Sequence, residues 1–197
     1  MEEKEQVKLI LLDPVAESEE YERVIIQFLL SLPNANILRV ERMQNKVIWR
    51  KYHHRSQLMR EFDKFHLREE LLFHGTRKNK PEAIYKGDVG FDMRFSASGM
   101  WGRGNYFAVN SSYSHGFAFC MNGVYKIFAA FVLTGNSFLS PPNKTLSKPP
   151  LLKRSDDSST SVEYRYDSVS GTTGGTRVYI TYDNDHAYPA YLITYRL

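Results

Sequence analysis

Two segments near the N-terminus repeat apolar side chains every three or four residues, which is typical of helices. The first, SEEYERVIIQFLLSLP, begins at Ser18, which can cap a helix, and ends at Pro33. The second, KVIWRKYHHRSQLMREF, begins at Lys46. Between them, NILRVER alternates apolar and charged residues, as half-buried strands do. The pattern predicts helix, strand and helix in that order.

Beyond the second helix the pattern is mostly extended. ELLFHGT predicts a strand, Pro81 opens a short helix that Gly87 closes, and residues 88–104 predict a loop. Five further strands are predicted over NYFAV, VYKIFAAFVLTG, VEYRYDSV, TRVYITYD and AYLITYRL. Residues 135–161 form a long, polar, proline-rich connection of the kind that is mobile or functional. Helices followed by strands favour an α+β fold with a largely antiparallel sheet.

Length and cysteine content restrict the class of protein. A chain of 197 residues predicts one domain with its own core. The single cysteine, Cys120, cannot form an internal disulfide, which favours a reducing compartment. No stretch reaches the roughly 18 apolar residues of a membrane span, and the N-terminus lacks the pattern of a secretory signal. We therefore expect a cytoplasmic or nuclear protein without a membrane partner.

The charge is mildly basic, with a formal net charge of +4 and a pI of about 9.0. Such a surface attracts phosphates, including nucleic acid, but it is equally explained as an ordinary solvated surface. Of the six histidines, only His53 and His54 are adjacent, and neighbouring side chains point apart. We therefore expect no metal site.

The stretch GMWGRGNYFA contains Gly102 and Gly104, which raise the question of a phosphate-binding loop. A dinucleotide-binding fingerprint requires a third glycine where Phe107 stands, between a strand and a helix. Here a loop precedes the pair and a predicted strand follows it, so this interpretation fails. We expect the glycines to allow a tight turn with little bulk beside a ligand.

Three motifs together resemble the poly(ADP-ribose) polymerase family, and in particular its mono-ADP-ribosyltransferase branch, whose third catalytic position is hydrophobic. They are LLFHGTRKN, GMWGRGNYFAVNSSYSHGF and TRVYITYD, at residues 71–79, 99–117 and 176–183. The segments LDPVAESEEYERV and ILRVERMQNKVIWRKY and the ending HAYPAYLITYRL are similar as well. The resemblance implies the ADP-ribosyltransferase fold, in which N-terminal helices accompany two packed sheets that form an NAD⁺ cleft. NAD⁺ is then a consumed substrate, with no metal required.

The resemblance also implies a domain organisation. Residues 1–17 correspond to a lead-in segment, and residues 18–197 to one catalytic domain. The autoinhibitory helical domain of the DNA-damage-responsive members has no counterpart in this sequence. Residues 91–101 correspond to the donor loop over NAD⁺, where Arg94 either faces the diphosphate or is simply exposed.

Within the first motif, the resemblance assigns roles to three consecutive residues. His74 corresponds to the histidine that hydrogen-bonds a ribose hydroxyl, and Gly75 to the glycine whose backbone holds the nicotinamide carboxamide. Thr76 stands beside the adenosine half. Taken alone, His74 is also explained as a histidine of the core at the end of a strand.

The second motif supplies the remaining cofactor contacts. Tyr106 corresponds to the tyrosine that stacks on nicotinamide, with Phe107 and Ala108 beside it. Ser114 corresponds to the serine that holds the carboxamide, and Phe117 stands where many members have a tyrosine that closes the aromatic sandwich. Because Phe117 keeps the ring, we expect NAD⁺ binding to survive the loss of the hydroxyl.

The third catalytic position separates the branches of the family. Polymerising members carry a glutamate there, whereas this chain has Val178, which cannot polarise the hydroxyl of a growing chain. Val178 alternates with Ile180 and Tyr182, so we expect it to pack in the core as well. His74, Tyr106 and Val178 thus take the three catalytic positions, and a single transfer of ADP-ribose is expected.

Three functional alternatives remain at this point. The first is mono-ADP-ribosylation of an acceptor protein, including the chain itself. The second is a scaffold of the same fold that has lost NAD⁺ binding, which the intact His74 and Tyr106 disfavour. The third is transfer to nucleic-acid ends, which the basic charge permits without requiring it. We expect a monomer.

Overall fold

The elements follow the predicted order of helices and then strands. A computed structural model describes residues 7–62, 68–152 and 163–197. In chain order its elements are β1 (Val7–Leu11), α1 (Ser18–Leu29), β2 (Asn36–Asn45), α2 (Lys46–Phe62), β3 (Glu69–His74), α3 (Glu82–Tyr85), β4 (Ser98–Gly99), β5 (Gly102–Arg103), β6 (Asn105–Ala108), α4 (Ser111–His115), β7 (Phe119–Met121), β8 (Val124–Leu133), β9 (Ser137–Leu139), β10 (Ser168–Thr173), β11 (Thr176–Thr181) and β12 (Ala187–Arg196). Short 3₁₀ helices occupy Met93–Phe95 and Asn184–His186.

The sequence pattern located the helices and most strands, and three local expectations were wrong. Ser18 does not cap α1, because Glu17 holds the capping position without a side-chain bond. The strand expected over VEYRYDSV begins only at Ser168. The loop over 88–104 contains the hairpin of β4 and β5. Within the long connection, Ser137–Leu139 forms β9, and residues 153–161 lie outside the described part of the chain.

One hydrogen-bonded path joins nearly all the strands, in the order β1-β2-β12-β8-β3-β6-β11-β10-β9, while β7 pairs with β8. The pairs are antiparallel except for β9 with β10, which confirms the α+β class. The path is weakest between β3 and β6, where only Phe73 and Ala108 are paired. The two sheets that the resemblance implies are thus two halves of one continuous sheet, which this single pair joins.

The two faces of the sheet carry different cores, because successive residues of a strand point to opposite sides. On one face, Phe73 packs with Val24 and Phe28 of α1 and with Tyr52 of α2. On the other face, Leu72 packs with aromatic residues that include Phe91, Phe107 and Phe128. The last residue of β3, His74, follows Phe73 and lies against the second face.

The N-terminal residues that the structure describes belong to the sheet. Residues 7–11 of the predicted lead-in form β1, which pairs antiparallel with β2 from Val7–Asn45 to Leu11–Glu41. Across the described ranges, the helices are too short or too polar to cross a bilayer.

Candidate functional site

His74 occupies the gap where β3 and β6 separate. After the Phe73–Ala108 pair, its imidazole Nδ1 lies 2.8 Å from the main-chain oxygen of Tyr106. The ring meets Phe91 edge-on at 5.0 Å and Phe107 at 5.4 Å, measured between ring centroids. A side-chain hydrogen bond thus follows the last backbone pair between β3 and β6.

The protonation state of His74 follows from these contacts. A carbonyl oxygen only accepts, so the Nδ1 atom carries the hydrogen, and the Nε2 atom of the neutral ring keeps its lone pair. Burial lowers the pKa of His74 below its ordinary value, and the bond to the Tyr106 carbonyl only partly opposes this shift. At neutral pH the imidazole therefore offers an acceptor at Nε2.

The hydroxyl of Tyr106 is held by the β4–β5 hairpin. It donates to the Gly102 oxygen at 2.7 Å and accepts from the Trp101 main-chain nitrogen at 2.9 Å. Tyr182 donates to the Trp101 oxygen at 2.7 Å. Desolvation raises the pKa of Tyr106, so its hydroxyl stays protonated. These bonds fix the ring while leaving it only half-buried.

Gly75 lies where two segments of backbone meet. A Cβ atom at this position would approach the Phe117 oxygen at 2.3 Å and the Ser114 oxygen at 2.6 Å. A side chain here would push away the end of α4. Next to it, the buried Thr76 donates from Oγ1 to the Asn79 oxygen at 2.6 Å, and Arg77 donates its main-chain N–H to the Phe117 oxygen at 2.7 Å. The loop after β3 and the end of α4 are thereby tied together.

Of the next two predicted residues, Ser114 lies on α4 and Phe117 follows it. The buried Ser114 donates from Oγ to the Phe73 oxygen at 2.9 Å, which leaves lone pairs on its hydroxyl. Phe117 lies just beyond the helix, edge-on to Tyr113, with the Arg77 guanidinium 4.5 Å from its ring centroid. Within the described residues no ring contact joins Phe117 to Tyr106. The aromatic sandwich of these two rings around nicotinamide therefore stays a prediction.

Val178 of β11 is paired with Ala108 of β6, the same residue that pairs with Phe73 of β3. It is opposite Ala108 on one side and Gly171 on the other, and its side chain is only 1 % exposed. Trp101 lies over Gly171, because a Cβ atom there would meet the indole at 2.0 Å. The indole Nε1 donates to the Ser140 oxygen at 3.0 Å. As the alternation predicts, Val178 is a core residue, and Trp101 covers it.

Phe107 and Ala108 are buried, with side-chain environments that differ from that of Tyr106. Phe107 packs behind His74 against Phe91, and Ala108 packs with Val178. The structure gives each a packing role, and contact of either with NAD⁺ stays a prediction.

The predicted donor loop is braced at its start. Asp92 accepts the Arg94 main-chain N–H and also pairs with the Arg94 guanidinium at 2.6 Å. The Arg94 side chain is 75 % exposed. Asn105 donates to the Phe91 oxygen at 2.8 Å and accepts from Ser96 at 2.8 Å. Of the two roles left open for Arg94, the structure places it in an exposed ion pair.

Gly102 and Gly104 of GMWGRGNYFA face protein. Gly102 has φ +74°, which confirms the tight turn, and its missing Cβ would meet the Leu146 oxygen at 1.7 Å. At Gly104 a Cβ would lie 2.5 Å from the Ile180 side chain. Close packing of the hairpin on neighbouring chain segments thus explains both glycines, and small bulk beside a ligand stays a prediction.

The structure brings His74 to Tyr106, Gly75 to the end of α4, and Val178 to Ala108, and their joint role in binding NAD⁺ stays a prediction. Sequence reasoning missed Trp101, which bonds Tyr106 and covers Val178, and Asn105, which ties the donor loop to β6. It also missed Arg77 over Phe117. A tryptophan between glycines in a predicted loop was the available signal. Among the described residues, no group of three or more His, Cys, Asp or Glu could hold a metal ion.

Comparison with known proteins defines the class. The family model for the poly(ADP-ribose) polymerase catalytic domain matches residues 18–197. A probable poly [ADP-ribose] polymerase of Dictyostelium discoideum is 37 % identical over 91 % of this chain and 50 % of its own length. The protein mono-ADP-ribosyltransferases PARP12 of Mus musculus and PARP14 of Homo sapiens are 29 % and 28 % identical over 90 % and 96 % of this chain, and over 24 % and 10 % of their own lengths.

The chain belongs to the poly(ADP-ribose) polymerase catalytic domain family, because the family model matches most of its length. It spans half or less of the length of these relatives.

Proposed function

We propose that this chain transfers one ADP-ribose from NAD⁺ to an acceptor protein and releases nicotinamide. The observation that carries the proposal is the placement of His74 against Tyr106, at the gap between the sheet halves, beside a third position filled by Val178. Family membership and the names of the mono-ADP-ribosyltransferase relatives support the same activity.

The proposed chemistry depends on positioning. The C–N bond between ribose and nicotinamide breaks with its electron pair going to the ring nitrogen, so nicotinamide leaves as a neutral molecule. The acceptor forms a new bond to the ribose carbon and releases its proton. Because the leaving group is already a cationic pyridinium, the protein needs chiefly to hold the two reactants in line.

Each residue of the site has a part in this positioning. Nε2 of His74 accepts a hydrogen bond from a ribose hydroxyl, which its tautomer permits. The Tyr106 and Phe117 rings supply flat faces to a flat cation, and the Gly75 backbone holds the carboxamide. Val178 offers no carboxylate to activate the end of a growing chain. A single transfer is therefore the expected outcome.

The test is incubation of the purified chain with NAD⁺ labelled in the adenylate half. The expected result is release of nicotinamide together with one compact labelled protein band. His74→Ala removes the signal, whereas His53→Ala, which changes an exposed histidine of α2, keeps it. A long polymer ladder contradicts single transfer.

The alternatives predict other results in the same assay. A scaffold without NAD⁺ binding gives neither product nor a thermal shift, whereas saturation at 100 times Kd stabilises a binding protein by about 2.7 kcal/mol. Offering RNA and DNA beside protein tests transfer to nucleic-acid ends. A monomer in the cytoplasm or the nucleus stays the predicted state and location.

A further inference from the structure

A cavity of about 600 Å³ lies on the sheet face that α1 and α2 cover. Its walls come from the N-terminal halves of both helices and from β1, β2, β8 and β12. None of the residues assigned to the NAD⁺ site lines it. Its volume is in the range of small-molecule sites in proteins.

Positive charge dominates the lining of this cavity, which we call the helix-side cavity. Four cations and a single carboxylate line it: Lys8, Arg23, Arg42, Lys46 and Glu20. The Glu20 carboxylate is already engaged, because it accepts from the Arg42 Nη1 atom at 2.5 Å and from the Tyr191 hydroxyl at 2.8 Å. The lining contains no further carboxylate that could neutralise the other cations. The cavity therefore attracts anions.

Arg42 is held in place by its ion pair. The pairing with Glu20 fixes the guanidinium, and Arg23 donates to the Tyr191 hydroxyl at 3.3 Å behind it. The Nε atom of Arg42 is buried and has no hydrogen-bond partner among the described residues, whereas 32 % of the Arg42 side chain is exposed. The exposed N–H groups of a guanidinium positioned in this way are good donors to a phosphate or carboxylate oxygen.

Aromatic side chains complete the lining beside this charge. Trp49 meets Tyr188 edge-on at 5.1 Å between centroids, and its side chain is 42 % exposed. Phe131 and Tyr191 form a second edge-on pair at 6.0 Å. The exposed part of the indole is available for stacking by a flat ring.

We propose that the helix-side cavity is a second ligand site, specific for a mononucleotide, that is, a flat base joined to a phosphate. The base stacks on Trp49, and the phosphate accepts from Arg42 and from the lysines at the cavity edge. The recognition needs ring and anion together, because aromatic and cationic side chains line the same cavity. Its occupation is independent of NAD⁺ turnover.

The two tryptophans of the chain make the test direct. Trp49 lies in the helix-side cavity, and Trp101 lies in the core that covers Val178. In protein labelled with 5-fluorotryptophan, ¹⁹F NMR gives one resonance for each, and Trp49→Phe assigns them. AMP is expected to shift the Trp49 resonance in a saturable way, and to bind at least tenfold more tightly than adenosine or inorganic phosphate.

Three variants locate the binding. Arg42→Met is expected to weaken AMP binding at the Trp49 resonance at least tenfold, and Lys46→Ala at least threefold. Arg50→Ala, which removes an exposed cation of α2 outside the cavity, leaves it unchanged. If Arg42→Met does not fold, as the Trp101 resonance will report, Lys46→Ala against Arg50→Ala decides.

Three results overturn the proposal. They are an unmoved Trp49 resonance in millimolar AMP, equal binding of AMP and one of its two fragments, and equal weakening by Lys46→Ala and Arg50→Ala. Nicotinamide release by the unmodified chain is measured separately. Failure of the second site therefore leaves the proposed transferase activity standing, and the reverse also holds.

Discussion

The Nδ1 atom of His74 lies 2.8 Å from the main-chain oxygen of Tyr106, and this one bond fixes the histidine tautomer. Since burial lowers the pKa of His74, the ring is neutral at pH 7 and its Nε2 atom accepts. Protonation would turn that acceptor into a donor.

Activity should accordingly be lost on the acid side. Because the pKa is lowered, the midpoint of the acid decline in kcat/KM for nicotinamide release is expected below pH 6.5. Initial rates across pH 4.5–8 measure this, with circular dichroism as a check that the protein remains folded. A midpoint at or above pH 6.5 would contradict a depressed pKa.

Removal of the Tyr106 hydroxyl should loosen the hairpin. Tyr106→Phe leaves the Trp101 main-chain N–H without its partner, which costs about 1–3 kcal/mol of unfolding free energy. The ring still stacks, so KM for NAD⁺ is expected to rise less than with Tyr106→Ala. Urea unfolding and steady-state kinetics measure the two effects.

Tyr182→Phe is the matched control for this substitution. It deletes the Tyr182 hydroxyl, which donates to the main-chain oxygen of Trp101. Tyr182 is not among the residues predicted to contact NAD⁺. A similar loss of stability with unchanged KM is expected. Equal KM values for Tyr106→Phe and Tyr106→Ala would argue against stacking.

Val178→Glu is expected to destabilise the protein without giving polymer. The position is 1 % exposed beneath Trp101, so an ionised carboxylate there costs at least about 3 kcal/mol. Burial raises the pKa of the new glutamate, so the deficit relative to the unmodified chain should shrink as pH falls toward about 4.3. Thermal unfolding at pH 5 and pH 8 measures this.

Val178→Gln has the same shape without the charge, so its deficit should not depend on pH. Both variants are expected to give at most one compact product band with labelled NAD⁺. A ladder from Val178→Glu would show that the carboxylate alone restores elongation.

Phe117 should tolerate a hydroxyl but not the loss of its ring. Phe117→Tyr is expected to keep KM for NAD⁺ within about twofold, while Phe117→Ala removes a stacking face and raises it about tenfold. Arg77→Ala exposes the other side of the ring and serves as the comparison. If Phe117→Ala left KM unchanged, the ring would have only a packing role.

Stability should fall in acid because of His186. Desolvation and the nearby Arg55 lower the pKa of His186 to about 3, while Asp183 lies 4.0 Å away. With the folded pKa below the unfolded value of about 6.5, the unfolded state binds the proton first. Unfolding free energy is therefore constant above pH 6.5 and falls by up to about 1.4 kcal/mol per pH unit below it. Urea titrations from pH 7.5 to pH 4 measure the slope.

His186→Gln provides the comparison, because it removes the titrating group while keeping a polar side chain. His74 also contributes an acid slope, so this variant should retain part of the pH dependence. Identical slopes in the two proteins would contradict the assignment to His186.

Local periodicity predicted the helices α1 and α2 and the strand that carries His74, because short-range spacing specifies which face is buried. It also predicted that Val178 packs. The motif resemblance gathered residues from three segments into one site, which spacing alone could not do.

Other features depend on contacts between distant residues. Three contacts join chain segments that the hydrophobic pattern treats separately. They are the packing of Trp101 on Gly171, the backbone contact of Gly75 with Phe117, and the hydrogen bonds of the Tyr106 hydroxyl. The error at Ser18 has a local cause, because an acceptable capping residue does not prevent the helix from beginning one residue earlier in the chain. The late start of β10 reflects the bridge between Leu151 and Arg165, which holds the preceding residues elsewhere.

The single Phe73–Ala108 pair has a mechanical consequence. Because the β3–β6 joint has fewer backbone bonds than the other long ladders of the path, relative motion of the two sheet halves should concentrate there. A molecule bound at this joint would contact both halves of the sheet and would add a noncovalent link between them. Amide hydrogen exchange at β6 and at the end of β3 should slow on binding far more than exchange in the β8–β12 ladder. The donor substrate would then reduce the relative motion of the two sheet halves that bind it.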